Sequence, residues 1–247
     1  MSLTIRSAQT ISNGVTLIGS TSTITPPPSY LPSILFELDA STYTTGDWID
    51  STGNGRNGLM VGGGPSWSSD AGGCFNFTAI NGVYIAVTDS LSGWGLAGAP
   101  AQATFSVWAN IPSISGYQHV AGWRGGLNFW FLILSGVSTT EARFDNGIAR
   151  DIGIDYSPYF NNWALTTFVV DAAAGESRLY INGVFVGNAG GISGNFNAGG
   201  TAFTLGSDSS SNFMMTGKIG GAMAYNATLT QPEIVAEFNR TKTRYGL

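Results

Sequence analysis

Cysteine, histidine and charge are all scarce in this chain. Its 247 residues hold one cysteine, one histidine and only 10% charged side chains. A lone Cys74 closes no internal disulfide, and with His119 as the single imidazole no Cys/His zinc set can form. A Ser-His-Asp or Cys-His mechanism would have to run through His119. That residue stands in a strand-like run, 118–123, with no nucleophile elbow beside it, so a structural histidine is expected. No run reaches the ~18 apolar residues of a membrane span, and no membrane insertion is expected. A net charge of −5 argues against a nucleic-acid partner, which calls for a basic face that displaces counterions. Residues 1–7 lack the charged start and apolar run of a signal peptide, so folding in a cytoplasm is expected.

What is abundant is glycine, at 35 residues, and aromatic side chains, at 12%. This balance suits many short strands joined by tight turns rather than long, charge-laced helices. Strands are predicted over 34–38, 74–77, 83–87, 103–110, 119–123, 129–134, 141–144, 203–206 and 217–225, with Gly, Pro, Ser or Asn clusters between them. Residues 161–187 add a three-stranded meander whose second turn is Asn182-Gly183, the strongest local hairpin signal. One short helix is predicted after Thr230-Gln231-Pro232-Glu233, a capping box, with Ile234, Val235 and Phe238 as its buried stripe. Such a succession of short strands implies an all-β sandwich or barrel.

The first 33 residues read differently. They are Ser/Thr-rich, with one short hairpin conceivable about Asn13-Gly14, and they end in Pro26-Pro27-Pro28 and Pro32, an extended connector. The expected organisation is an arm with a Pro-rich linker over 1–33 and one domain over 34–247.

Few residues point to chemistry. Asp50-Ser51-Thr52-Gly53-Asn54-Gly55 matches the first half of a calcium loop, but Val61 stands where the closing glutamate belongs. A turn self-bonded through Asp50 is the expectation and calcium near Asp50 and Asn54 the alternative; no metal and no cofactor are assigned. Glu141, Arg143 and Asp145 share one strand face and read as a solvated outer surface. Arg240, Lys242 and Arg244 read as a solvated helix end whose cations complement the helix dipole. Sugar recognition needs aromatic faces and planar polar groups on loops. The loop-borne candidates are Trp94, Trp123, Arg124, Asp145, Asn146, Tyr156 and Tyr159, whereas Trp108 and Trp163 are placed in the core. Three Asn-x-Ser/Thr sequons, at Asn76, Asn226 and Asn239, are what an Asn- and Ser/Thr-rich chain yields by chance.

Five ordered stretches resemble the laminin-G-like or concanavalin A-like jelly roll. Leu38-Asp39-Ala40-Ser41 with the 48–58 turn resembles its opening, and Phe105-Ser106-Val107-Trp108 its Ser-x-Trp strand. The 163–187 meander is similar to its Trp-x-x-Leu and Leu-Tyr-Ile-Asn-Gly signature. Phe203-Thr204-Leu205-Gly206 and the segment from Gly217 through Glu233-Ile234 resemble its last strands and helix. The resemblance implies a two-sheet antiparallel jelly-roll sandwich with a C-terminal helix. One departure stands out: many relatives read Gly-x-Ile-Asp-Glu where this chain has Gly217-Lys218-Ile219-Gly220-Gly221.

Glycosidases on related jelly rolls set carboxylates at alternating positions of one strand, because a retaining pair must sit about 5 Å apart. Glu37 and Asp39 share a face, but position 41 is serine and no third acid follows, so no catalytic residue is assigned and no enzyme is expected. Similar jelly rolls, ending like Phe238-Asn239 through Arg244-Tyr245-Gly246, look like those in structural proteins of marine phages and large viruses. The expected function is a virion surface protein, a phage capsid decoration, fibre or tail component. In that reading the arm docks on other virion proteins, the jelly roll meets cell-surface polysaccharide, and the chain forms a homo-oligomer. A cellular lectin module is the alternative, and a divergent glycanase ranks below it.

Overall fold

Alternation of core and surface side chains makes the long strands. In the strand Gln102–Asn110, Ala103, Phe105, Val107 and Ala109 enter the core, while Thr104, Ser106 and Trp108 point the other way. The structure is a computed structural model that describes residues 3–5, 8–10, 16–18, 22–24, 31, 33–97, 100–112, 116–124, 129–133, 140–145, 149–196, 202–208, 210 and 212–247. It divides into two units, Met1–Pro32 and Ser33–Leu247. The first unit holds β1 (Leu3–Ile5), β2 (Ala8–Thr10), β3 (Thr16–Ile18) and β4 (Ser22–Ile24), with β1 antiparallel to β4 and β2 to β3. The Asn13-Gly14 pair lies outside the described residues.

The second unit runs β5 (Ile34–Asp39), β6 (Leu59–Val61), β7 (Ser66–Ser68), β8 (Cys74–Thr78), β9 (Tyr84–Thr88), β10 (Gln102–Asn110), β11 (Gln118–Trp123), β12 (Phe129–Ile133), β13 (Thr140–Asp145) and β14 (Ala149–Ile152). It continues with β15 (Trp163–Asp171), β16 (Glu176–Ile181), β17 (Val184–Gly190), β18 (Ala202–Leu205), β19 (Thr216–Tyr225) and α1 (Gln231–Thr241). The first sheet is ordered β17-β16-β15-β10-β19-β8-β7, with β5 pairing the other half of the β19 edge; the second is β14-β13-β12-β11-β18-β9-β6. All pairs are antiparallel, as the jelly-roll expectation requires. Every long predicted strand is present, and β6, β7 and β14 are additions that sequence reasoning missed. The Asn182-Gly183 turn has φ of 52° and 78°, both left-handed, and Asn182 Oδ1 also accepts the Leu165 N–H at 2.9 Å.

Between the sheets Phe105 meets Phe129, Phe203 and Trp123 from the second sheet and Phe168 from its own, at centroid distances of 4.9, 5.6, 6.4 and 5.9 Å. Helix α1 lies on the outward face of the first sheet. Trp108 stacks on Phe238 at 5.9 Å and on Tyr245 at 4.0 Å, and its Nε1 donates to Thr241 Oγ1 at 2.9 Å. At the start of α1 the Glu233 carboxylate accepts the Thr230 N–H at 2.7 Å, which holds the Glu233 pKa low.

Candidate functional site

Glu37 and Asp39 leave β5 on the outward face of the first sheet, beneath the C-terminal segment. There Arg240 bonds both oxygens of Glu37, at 2.8 and 3.3 Å, and also Glu237 at 2.6 Å. Arg244 bonds Asp39 and the carbonyls of Ala71, Gly73 and Gly220. The arginines read as solvated helix-end cations therefore serve as ties, while Lys242 is set over the Phe238 ring at 5.3 Å. The sequence could not pair Arg240 with Glu37, because the two lie 203 residues apart. A cavity of about 200 Å³ remains between them, lined by these acids and arginines with Trp108, Met223 and Tyr245. At Gly220 a Cβ would sit 2.7 Å from the Tyr245 ring and hydroxyl, so no side chain fits at that position.

The outward face of the second sheet carries a strip of alternating rings and guanidinium groups. Trp130 lies between Arg124 and Arg143, each 5.5 Å from its ring, and its Nε1 donates to Glu141 at 3.0 Å. Arg143 forks onto Asp151 at 2.5 and 2.7 Å and meets Glu141 at 3.3 Å. The Asp151 hydrogen bonds raise the Arg143 pKa, with burial opposing. Arg124 bonds the buried Asp208 and lies 4.1 Å over Phe213, whose edge meets Tyr117, 54% exposed. Asp208 in turn accepts the N–H groups of Ser210 and Asn212, and Phe213 is held at φ 57°, strained for a bulky residue. Trp130, Asp208, Phe213 and Tyr117 were not singled out from sequence. In the run Phe129-Trp130-Phe131 both strand faces are aromatic, so the pattern alone could not say which side faces out.

The sugar candidates scatter. Trp94 and Trp123 are fully buried and pack edge to face at 5.3 Å, Trp94 also against Phe36 and Trp123 against Phe203 and Phe129. Tyr156 is buried on Phe131, with its hydroxyl pKa pushed up to about 12 by burial. These three are corrected to core residues: Trp123 ends β11 pointing inward, and the Trp94 turn folds back into the sandwich. Arg124 joins the strip, Asp145 lies on its strand face, and Tyr159 is half-buried 5.2 Å from Tyr156. Asn146 lies outside the described residues.

Asp50 organises its turn as expected. Its Oδ1 accepts from Glu37 N, Thr52 N and Thr52 Oγ1 at 2.7 to 3.1 Å, and its Oδ2 from Arg56 N at 3.1 Å. Asn54 donates instead to the carbonyls of Ile34 and Leu35. Among the described residues no group of three His, Cys, Asp or Glu could hold a metal ion, and no helix is long and apolar enough to cross a membrane. His119 is fully buried, its Nε2 at 3.0 Å from Thr204 Oγ1, and burial lowers its pKa to about 4.

A family model described as the concanavalin A-like lectin/glucanases superfamily matches residues 81–235. No curated protein matches the sequence. Among solved structures, the receptor binding domain of botulinum neurotoxin C/D mosaic serotype aligns with a TM-score of 0.68 at 16% identity, over 84% of this chain and 51% of that one. The binding domain of Paraclostridial Mosquitocidal Protein 1 gives 0.67 at 16% identity, over 84% and 52%. Domain 4 of AbnA, an extracellular arabinanase from Geobacillus stearothermophilus, in complex with arabinotriose, gives 0.63 at 18% identity, over 83% and 97%. The chain spans about half the length of the first two, and at these identities the likeness establishes the fold.

Proposed function

The chain belongs to the concanavalin A-like lectin/glucanase superfamily, and on that footing we propose that it is a non-catalytic carbohydrate-binding jelly roll. The observation that carries this reading is the filled outward face of the first sheet. Hydrolysis needs two carboxylates free to face each other across a glycosidic bond. Here Glu37 is held on both oxygens by Arg240, Asp39 is tied to Arg244, and Tyr245 occupies the space where a side chain at position 220 would project. The same strand in many relatives carries acids where this chain has Gly220-Gly221. Binding is supported by the named neighbours too, which include receptor-binding domains and a domain solved with arabinotriose. Of the residues singled out for sugar contact, Arg124, Asp145 and Tyr159 keep partial solvent access. Affinity electrophoresis through gels containing soluble polysaccharides tests it. Retardation without release of reducing sugar is expected; sugar release overturns the non-catalytic part, and unretarded migration in every gel overturns the binding part.

The finer role we propose is display on a virion surface, with residues 1–32 as the anchoring arm. What favours it is that these residues form their own strand-paired unit, ahead of the jelly roll. Co-purification with intact particles, lost when residues 1–32 are deleted, is the expected result; a protein absent from particles removes this role and leaves the sugar-binding reading in place.

A further inference from the structure

At one end of the first sheet five directly opposed residues form a row on the outward face. Ser66, Asn76, Lys218, Asn110 and Trp163 are successive cross-strand partners along β7, β8, β19, β10 and β15. Beside this row runs an open groove of about 410 Å³, within the range of ligand sites. Asn76, Thr78, Asn110, Asn161 and Lys218 line it, with Pro112 and Phe77 as its apolar part and Gly217 adding bare backbone. Gly217 is required there, since a Cβ would lie 2.7 Å from the Asn110 carbonyl. Asn161 sits at φ 61° and is tied by its N–H to the Ile111 carbonyl at 2.8 Å, which fixes the loop that presents its amide.

The hydrogen-bonding capacity of this groove is unspent. Among the described residues the side chains of Asn76, Thr78 and Asn161 have no hydrogen-bond partner, and Asn110 uses only its NH₂, toward the Asn161 carbonyl at 3.4 Å. This contrasts with the strip on the second sheet, where Arg143 and Arg124 are already committed to carboxylates. An amide offers both donors and an acceptor, as a sugar hydroxyl does, whereas a charged ligand needs an uncompensated opposite charge. The one charge in the lining, Lys218, is matched by Asp70 at 2.5 Å. Strand spacing of about 4.8 Å puts Asn76 and Asn110, two strands apart, roughly 10 Å from each other, a span suited to more than one ring.

We infer that this amide-lined groove is the carbohydrate subsite and that it takes uncharged oligosaccharide. The inference rests on the sugar-binding reading above and adds the place and the ligand class. The test titrates the full chain with arabinotriose, maltotriose, cellotriose and mannotriose, and with a sulfated heparin trisaccharide, by calorimetry. At least one neutral trisaccharide binds and the sulfated one does not. The double variant Asn76→Ala/Asn110→Ala weakens that binding by about tenfold or more, the loss of two hydrogen bonds, while Arg143→Ala and Tyr117→Ala leave it unchanged. Asn161→Gly, which suits the left-handed backbone, removes one amide without loss of fold and weakens binding by about fivefold; melting curves confirm that each variant is folded. Unchanged affinity in the asparagine variants, or loss on Arg143→Ala, overturns the groove and leaves sugar binding standing. Preference for the sulfated ligand overturns the ligand class. Failure of every trisaccharide, together with unretarded migration in polysaccharide gels, removes the reading and the groove together.

Discussion

His119 is the only imidazole of the chain, and the fold holds it neutral. Its Nε2 faces the Thr204 hydroxyl and carbonyl, and the opposite charges of Asp208 and Arg124 act on it with opposite sign. Folded, it takes a proton only near pH 4; unfolded, it does so near 6.5. Between those values the unfolded chain binds the extra proton, so stability is lost as pH falls through this window, by up to about 3 kcal/mol. The expected measurement is a melting midpoint that declines steadily from pH 7 to pH 4.5 in the native chain. His119→Gln, which can still donate to Thr204, flattens that decline, and equal slopes for the two proteins would remove His119 as its source. Individual residues were legible in the sequence to unequal degrees. His119 reads as structural because it stands in a strand-like run with no nucleophile elbow beside it, and Asp50 as a turn organiser because its partners are local. Trp94 and Trp123 misled because glycines flank them, and glycine marks a turn without saying whether the neighbouring ring points out or back inside.

At the scale of elements, α1 and the turn after it close the outward face of the first sheet. Glu37 and Glu237 are 6% and 5% exposed, and Arg240 is the cation that compensates both. Arg240→Met therefore leaves two neighbouring buried carboxylates uncompensated, at a cost of about 3–5 kcal/mol. The triple change Glu37→Gln/Glu237→Gln/Arg240→Met recovers most of that loss, since amides carry no charge to strand. Urea denaturation of the three proteins checks both statements, and a triple variant no more stable than Arg240→Met refutes the charge argument. In the meander, Asn182→Ala costs about 1–2 kcal/mol, because alanine resists φ near 52° and gives up the bond to Leu165 N–H. The long strands and this turn were readable because their signals are local: alternation, or a dipeptide. Strands β6, β7 and β14 have three or four residues each and take their identity from a partner strand, so nothing local announced them.

The sandwich as a whole depends on a few aromatic residues that touch both sheets. Phe105, outward in neither sheet, bridges β10 to Trp123, Phe129 and Phe203 on the opposing layer. Its class was evident from the 103–110 alternation, but its ring partners come from segments far apart in the chain, and which rings meet is decided only when the two sheets stack. Phe105→Ala empties space shared by four other rings, and the close packing of interiors leaves little room for them to collapse into it. The expected cost is about 3–5 kcal/mol, read as a lower denaturation midpoint with the slope unchanged. Phe185→Ala, on the exposed end of β17, serves as the comparison: the residue is 46% exposed, and the loss stays within about 1 kcal/mol. A chain beginning at Ser33 keeps every one of the Phe105 contacts, so the same Phe105→Ala difference is expected with and without residues 1–32. A difference that shrinks on removing those residues would mean that the core of the sandwich is not self-sufficient.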